Sequence, residues 1–323
     1  MKELENMILR KENSKWDLKN SSLLIKNIDE DKLKKYIAKA NDSKRINFKY
    51  TNKKQILKKL ELTKNDKLTN ACEILFSKNK PIETQLAVFA GNTKTTFLDI
   101  QQFKGNIFES IEKSENYIKE HINWRADLSG SKRIEVPEIP LRAIKEAIVN
   151  SYCHRDYVAP ESNKIAVYKD KIEIWNPGNF PEGYEPIDFI ENENPSILRN
   201  PLIANILYLS DDIEKWGSGL KRIFDECKKQ KVKVEFKVME YGFSIIFTRT
   251  NVDTNVDVNV DAKPIKRQEW ILEYLEKNKK IKSKTIQEQF KISKEIASRD
   301  LKKLGQKITQ NGGGNNIWYE LKK

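Results

Sequence analysis

Histidine is nearly missing from this 323-residue chain, which has two, His121 and His154. The three cysteines, Cys72, Cys153 and Cys227, lie far apart with no C-x-x-C spacing. That inventory argues against a zinc site and against a disulfide framework, so reduced, buried thiols are expected. Long apolar runs are absent as well, and the opening Met1-Lys-Glu-Leu-Glu5 has no apolar signal region. A soluble, cytoplasmic protein with no membrane partner is the expectation. The chain also has no G-x-x-x-x-G-K-[ST] loop. Gly91-Asn-Thr-Lys-Thr95 lacks the second glycine, which argues against a translocating helicase motor.

Positive charge is plentiful. Sixty Lys and Arg stand against 47 Asp and Glu, a net +13 with a pI near 9.3, which favours an anionic partner. From Pro264 onward there are 15 Lys and Arg against 7 acids, so much of the surplus sits at the C-terminal end. The length allows two or three domains.

Residues 1–65 read as polar and mostly helical, with Leu33, Tyr36 and Ile37 on one helix face and Ile56, Leu57 and Leu60 on another. They are too short for a separate domain and are expected to pack on the core formed by residues 66–250. That core alternates helices and strands: a helix at Leu68–Phe76, a strand at 85–90, an amphipathic helix from Phe103 to His121, and a strand at 132–136. Val232–Val238 and Tyr241–Phe247 form a hairpin by their period of two. Together these predict an α+β sandwich, helices on one side of a mostly antiparallel sheet.

The stretch from Pro140 to Phe224 carries the candidate chemistry. A helix from Leu141 to Tyr152 places Arg142, Glu146 and Asn150 on one face, four residues apart. His154, Arg155 and Asp156 follow at once. Strands at 165–168 and 172–175 lead into the turn Asn176-Pro-Gly-Asn-Phe-Pro-Glu-Gly183, and Lys215-Trp-Gly-Ser-Gly-Leu220 opens another helix. Asn150 can offer Mg²⁺ an amide oxygen, and Glu146 can orient or deprotonate a water. Gly217 and Gly219, at a helix start, let backbone N–H groups approach phosphate. Taken singly, each feature is as readily a solvated helix face or a simple turn. Residues 185–199 have little periodicity and read as a surface loop. Asn200 and Pro201 read as the N-cap and first residue of a helix, and Arg199 is a weaker phosphate candidate.

These residues resemble a known family. Glu146-Ala-Ile-Val-Asn-Ser-Tyr-Cys-His-Arg-Asp-Tyr157, Ile172-Glu-Ile-Trp-Asn-Pro-Gly178, Arg199-Asn-Pro201 and Lys215-Trp-Gly-Ser-Gly219 look like the C-terminal domain of RecG-related transcriptional regulators. That domain is similar to the GHKL, or Bergerat-type, ATPases, and the resemblance spans roughly residues 66–248. It implies a catalytic Glu146, a Mg²⁺-binding Asn150, and ATP contacts at Asn150, Asp156, Asn176, Gly178, Gly183, Gly217, Ser218 and Gly219. It implies as well a lid over the nucleotide at residues 185–199, a reading of equal weight with the surface loop. The GHKL adenine motif carries an Asp where this chain has Asn176, and an amide lacks the charge that strengthens such a contact. Cys153 stands three residues after Asn150, so the second acidic residue of the helix motif is displaced. The resemblance also implies an AlbA-type (Schlafen-like) DNA-binding module, of which this sequence shows no trace. Either this chain begins downstream of that module, or the module was lost or is separately encoded, in which case it is a candidate partner.

Residues 251–263 repeat Asn-Val-Asp and read as a flexible tether. Residues 264–323 resemble a winged helix-turn-helix, with helices at Arg267–Asn278, 284–290 and 294–304 and a hairpin tipped by Gly312–Gly314. Lys294, Ser298, Arg299 and Lys302 are the expected major-groove contacts, with Gly313 at the wing tip, and Glu295 a candidate acceptor for a cytosine amino group. A winged helix used for protein contacts is the alternative.

Three functions remain open. One is a homodimeric, DNA-binding transcriptional regulator that binds or senses Mg-ATP. Another is a DNA-associated ATPase with weak hydrolysis through Glu146. The last is a protein-interaction scaffold with a degenerate nucleotide fold.

Overall fold

The computed structural model describes residues 16–128, 133–191, 194–213, 218–249, 267–290, 294–305, 307–312 and 317–322. The chain divides into two units, Met1–Val260 and Asp261–Lys323. The architecture is mixed α and β.

The first unit begins with short 3₁₀ turns at Trp16–Leu18 and Ile25–Asn27. Helix α1, Glu30–Asp42, starts where Asp29 accepts a hydrogen bond from the Lys32 N–H. It buries Leu33, Tyr36, Ile37 and Ala40 along one face. Helix α2, Lys53–Lys59, and the small hairpin of β1 (Thr63–Lys64) and β2 (Lys67–Leu68) lead to helix α3, Asn70–Phe76. Thr69 caps α3 through the Cys72 N–H.

Strand β3, Ile82–Phe89, pairs with β4, Phe97–Gly105. The expected helix from Phe103 to His121 therefore starts later. Phe103, Lys104 and Gly105 belong to β4, and α4 runs from Ile107 to His121. Asn106 ends the strand and begins the helix: its side chain accepts from the Glu109 N–H, and the Glu109 carboxylate accepts from the Asn106 N–H. A small hairpin, β5 (Trp124–Asp127) with β6 (Ile134–Pro137), precedes helix α5, Leu141–Cys153.

Strands β7 (Asn163–Val167), β8 (Lys171–Pro177), β9 (Val234–Met239) and β10 (Gly242–Thr248) complete a six-stranded sheet ordered β4-β3-β7-β8-β10-β9. Every pairing is antiparallel except β3 with β7. Ile82, Thr84 and Leu86 of β3 and Ile172 and Ile174 of β8 are buried, and α4 and α5 pack on the sheet. The seat of α5 is fixed by buried hydroxyls. The Tyr152 hydroxyl lies 2.7 Å from Thr84 Oγ1 and 3.1 Å from Ser114 Oγ. Helices α6 (Pro186–Ile190), α7 (Pro201–Leu209) and α8 (Gly219–Lys229) complete this unit.

The N-terminal elements share the core of the sheet rather than standing apart from it. Asn200 occupies the N-cap position of α7 with Pro201 behind it, yet its side chain makes no capping bond. Buried Asp17 supplies the cap from 185 residues away, its Oδ2 accepting from the N–H groups of Leu202 at 2.7 Å and Ile203 at 3.2 Å. Asn200 is occupied elsewhere, donating to the carbonyls of Cys153 and Arg155, both at 2.8 Å. That choice holds the end of α5 in place.

The second unit has helices α9 (Arg267–Asn278), α10 (Ser283–Phe290) and α11 (Lys294–Lys303), then β11 (Ile308–Asn311) paired with β12 (Trp318–Leu321). Ile271, Leu275, Ile281, Ile286, Ala297, Leu301, Leu304 and Ile308 form its core. Ile281 exchanges two backbone hydrogen bonds with Tyr319, so the hairpin is sewn to the α9–α10 turn.

Candidate nucleotide site and nucleic-acid interface

The α5 face places Glu146 one turn before Asn150, and the start of α8 closes directly over both. A Cβ added at Gly219 would lie 2.7 Å from Glu146 Oε1 and 2.9 Å from Asn150 Nδ2. A methyl there would have to push the ends of both side chains aside. The Asn150 amide donates to Glu146 Oε1 at 3.3 Å. Ser218 precedes Gly219 at the N-cap of α8, where its side chain makes no capping bond. Gly217 lies outside the described residues.

Glu146 is 7% exposed and does not stand alone. Arg222, in the first turn of α8, donates through Nη1 to Glu146 Oε2 at 2.7 Å and through Nη2 to Ser218 Oγ at 3.2 Å. Burial holds the Glu146 carboxyl above the ordinary carboxylate range, and Arg222 and Asn150 pull it partly back. Sequence reading missed Arg222. A trace was available: Lys221 and Arg222 are cations in the first turn of a helix, the end whose dipole disfavours them.

Asp156, Asn176 and Gly178 gather past the C-terminal end of α5. Asn176 is 3% exposed at the end of β8, and its amide donates to the Pro177 carbonyl at 3.1 Å. Gly178 has φ +117°, and a Cβ there would lie 3.1 Å from the Asp156 nitrogen and 3.2 Å from the His154 oxygen. The Asp156 N–H donates to the Pro177 carbonyl at 2.8 Å. The Asp156 carboxylate is used in the turn itself. Oδ1 accepts from the Val158 N–H at 2.9 Å, and Oδ2 lies 3.9 Å from Arg199 Nη1. Arg199 also donates to the Asn179 carbonyl at 2.7 Å. Gly183 has φ +85° with open space around its Cα, so its conformation and not a close neighbour calls for glycine. Between residues 185 and 199 the chain forms the short helix α6 at Pro186–Ile190.

Among the described residues no group of three His, Cys, Asp or Glu side chains gathers as a metal cluster. Asn150 beside Glu146 is still a hard-oxygen pair, and Mg²⁺ commonly takes one or two protein oxygens and completes its shell with phosphate and water. The donor set, one amide oxygen and one carboxylate, is of the kind such an ion takes, and in this structure Arg222 holds Glu146 while Gly219 lies against both side chains.

In the second unit Lys294 and Lys302 on α11 are exposed and Ser298 is half-buried. The side chains of Arg299 and Glu295, and Gly313 entirely, lie outside the described residues. Arg267 Nε donates to Asp300 Oδ2 at 2.8 Å, and Asp300 is 1% exposed. This buried ion pair ties α11 to α9.

Comparison with known proteins meets this geometry at two places. Residues 161–247 match the family described as "Putative ATP-dependent DNA helicase recG C-terminal". Residues 267–316 match the DeoR-like helix-turn-helix domain. The chain carries a RecG C-terminal-like domain followed by a DeoR-like helix-turn-helix. The RecG-like match takes in Asn176, Gly178, Gly183, Gly217, Ser218 and Gly219, while Glu146, Asn150 and Asp156 lie upstream of it. The crystal structure of the DIP2311 protein from Corynebacterium diphtheriae is similar in fold, at 17% identity and a TM-score of 0.59. The alignment covers 94% of this chain and 63% of that one, so the chain spans less than two thirds of its structural relative. A search of curated proteins finds no match. No helix among the described residues is long and apolar enough to cross a membrane.

Proposed function

We propose that this protein is a DNA-binding transcriptional regulator whose RecG-like unit binds Mg-ATP as a signal. The observation that carries the reading is the contact of Glu146 and Asn150 with Gly219 at the start of an eleven-residue helix. Asn150 and Glu146 would hold Mg²⁺ and its water, while the backbone of Ser218 and Gly219 would lie along the phosphates. Mg²⁺, when bound, supplies neutralisation of phosphate charge. Asn176, Gly178 and Gly183 would form the base side, with Asp156 and Asn200 holding that turn in shape.

Glu146 is the candidate general base, but its carboxylate is tied to Arg222, which favours binding over turnover. Slow hydrolysis is the second reading, and it requires that ion pair to open. Isothermal titration of the full chain with Mg-ATP tests the first. Micromolar binding that Asn150→Ala weakens at least tenfold supports it. No heat and no thermal shift would leave a protein-interaction scaffold. Phosphate release that vanishes in Glu146→Gln would make the protein an ATPase.

On the DNA side, Lys294, Ser298, Arg299 and Lys302 are the proposed groove and phosphate contacts, with Gly313 at the wing tip. A homodimer on a two-fold operator is the proposed assembly, read by sedimentation with and without duplex. Cytoplasmic residence follows from DNA as partner. An AlbA-type module acting in trans remains a proposed partner, and pull-down with that module tests it.

A further inference from the structure

The positive charge of the chain is concentrated in two places. Residues 264–323 hold a surplus of eight. Residues 44–67 hold nine Lys and Arg against two acids, a surplus of seven, which leaves the rest of the chain net negative by two. A general taste for lysine would spread the surplus; this chain gathers it. The second concentration sits on the unit that does not carry the helix-turn-helix.

Its geometry is specific. Helix α2 buries Ile56 and Leu57 and leaves Lys54 and Lys58, one turn apart, exposed. The β1–β2 hairpin turns through Asn65 and Asp66, with φ of +52° and +58°, and so sets Lys64 directly opposite Lys67. Lys54 Nζ lies 4.0 Å from Asp66 Oδ1, which brings the helix beside the hairpin tip. Lys49, Lys58, Lys64 and Lys67 are exposed and have no ion-pair partner among the described residues. Two like charges opposed across a hairpin repel, and Lys53 and Lys54 occupy the positive end of a helix. A polyanion laid across this surface relieves both costs.

We infer that α2 and the β1–β2 hairpin form a second contact surface for the phosphate backbone of duplex DNA. The helix shows no exposed apolar side chain, as a membrane-surface helix would. The neighbouring rings of Phe48 and Tyr50 are half-buried under Lys59 and Lys34, so they offer no platform for unstacked bases. Lysines without such a platform hold a duplex by its phosphates and read no sequence. The choice of DNA over other polyanions rests on the helix-turn-helix in the same chain.

The test uses the full chain carrying Lys54→Gln, Lys58→Gln, Lys64→Gln and Lys67→Gln together. All four side chains are exposed, and an unchanged melting temperature verifies the fold. Duplex affinity is measured from about 50 to about 200 mM salt. Each lost phosphate contact removes about 0.9 from the slope of log K against log salt, so losing four lowers the slope by up to about 3.6, equally on any sequence. A slope unchanged from the parent chain, no duplex binding by the parent, or binding only to anionic vesicles overturns the inference. A parallel chain with Lys294→Gln and Lys302→Gln separates it from the helix-turn-helix reading. Loss there with none in the four-lysine variant sinks this inference alone.

Discussion

Arg222 and Glu146 show how a single pair sets the state of the candidate site. Glu146 is taken out of water by α5 packing, and Arg222 is the cation that makes that burial tolerable. Replacing Arg222 with Met leaves a buried carboxylate without its partner, a loss on the order of 3 kcal/mol in denaturant unfolding. Adding Glu146→Gln to that variant is expected to recover most of the loss, and a double-mutant cycle measures the coupling. Independent, additive effects would show that the pair is not coupled. Gly219→Ala is the complementary probe. Its methyl would press on the Glu146 and Asn150 side chains, so Mg-ATP binding should be lost while unfolding shifts by under about 1.5 kcal/mol. Asp17 carries a pH signature. Burial pushes its carboxyl up to about 6, against the lowering pull of the α7 N–H groups. A raised folded value means that the stabilising proton is fully present below about pH 4 and is lost as pH rises through about 6, a change on the order of 3 kcal/mol. Asp17→Asn keeps an acceptor for the Leu202 N–H and should flatten that part of the stability–pH curve. An identical slope in the variant would remove Asp17 as its source.

At the scale of elements, the site depends on three joints. Tyr152, Thr84 and Ser114 seat α5 on the sheet, Asn200 holds its C-terminal end, and Gly242 sets the β8–β10 register. A Cβ at Gly242 would lie 2.6 Å from Trp175 Cε2 and 2.7 Å from Cζ2, both atoms of a rigid indole. Gly242→Ala is expected to cost about 1–3 kcal/mol by overpacking, read as a lower denaturant midpoint. A neutral result would mean that the ring moves aside freely. In the second unit the Arg267–Asp300 pair plays the same part for α11, fixing the helix that carries Lys294 and Lys302.

For the whole molecule, each unit brings its own set of side chains to the proposed function. The RecG-like unit supplies a glycine-closed oxygen pair, and the helix-turn-helix unit supplies exposed lysines on one helix. Neutralising Lys294 and Lys302 should weaken duplex binding and lower the salt slope by up to about 2, one contact for each lysine. An unchanged slope would point instead to protein contacts for this unit. Mg-ATP should change duplex affinity if the first unit acts as a sensor, and equal affinity with and without nucleotide would separate the two functions.

Periodicity made much of this legible in advance. The α5 face with Glu146 and Asn150, the β9–β10 hairpin, α9 and α11 all follow from side-chain spacing, which is local information. The start of α4 was harder to read, because Phe103 and Lys104 fit a helix pattern as well as a strand and only the Asn106–Glu109 box decides between them. What distance along the chain conceals, folding alone revealed. Asp17 caps a helix 185 residues away, Asn200 leaves its own helix to hold the end of α5, and Arg222 reaches a glutamate 76 residues upstream. Sequence determined the elements and the residue types of the site, since both rest on neighbours within a turn or two. Tertiary packing decided which charges meet, because only burial makes an unpaired carboxylate costly enough to demand a partner from elsewhere in the chain.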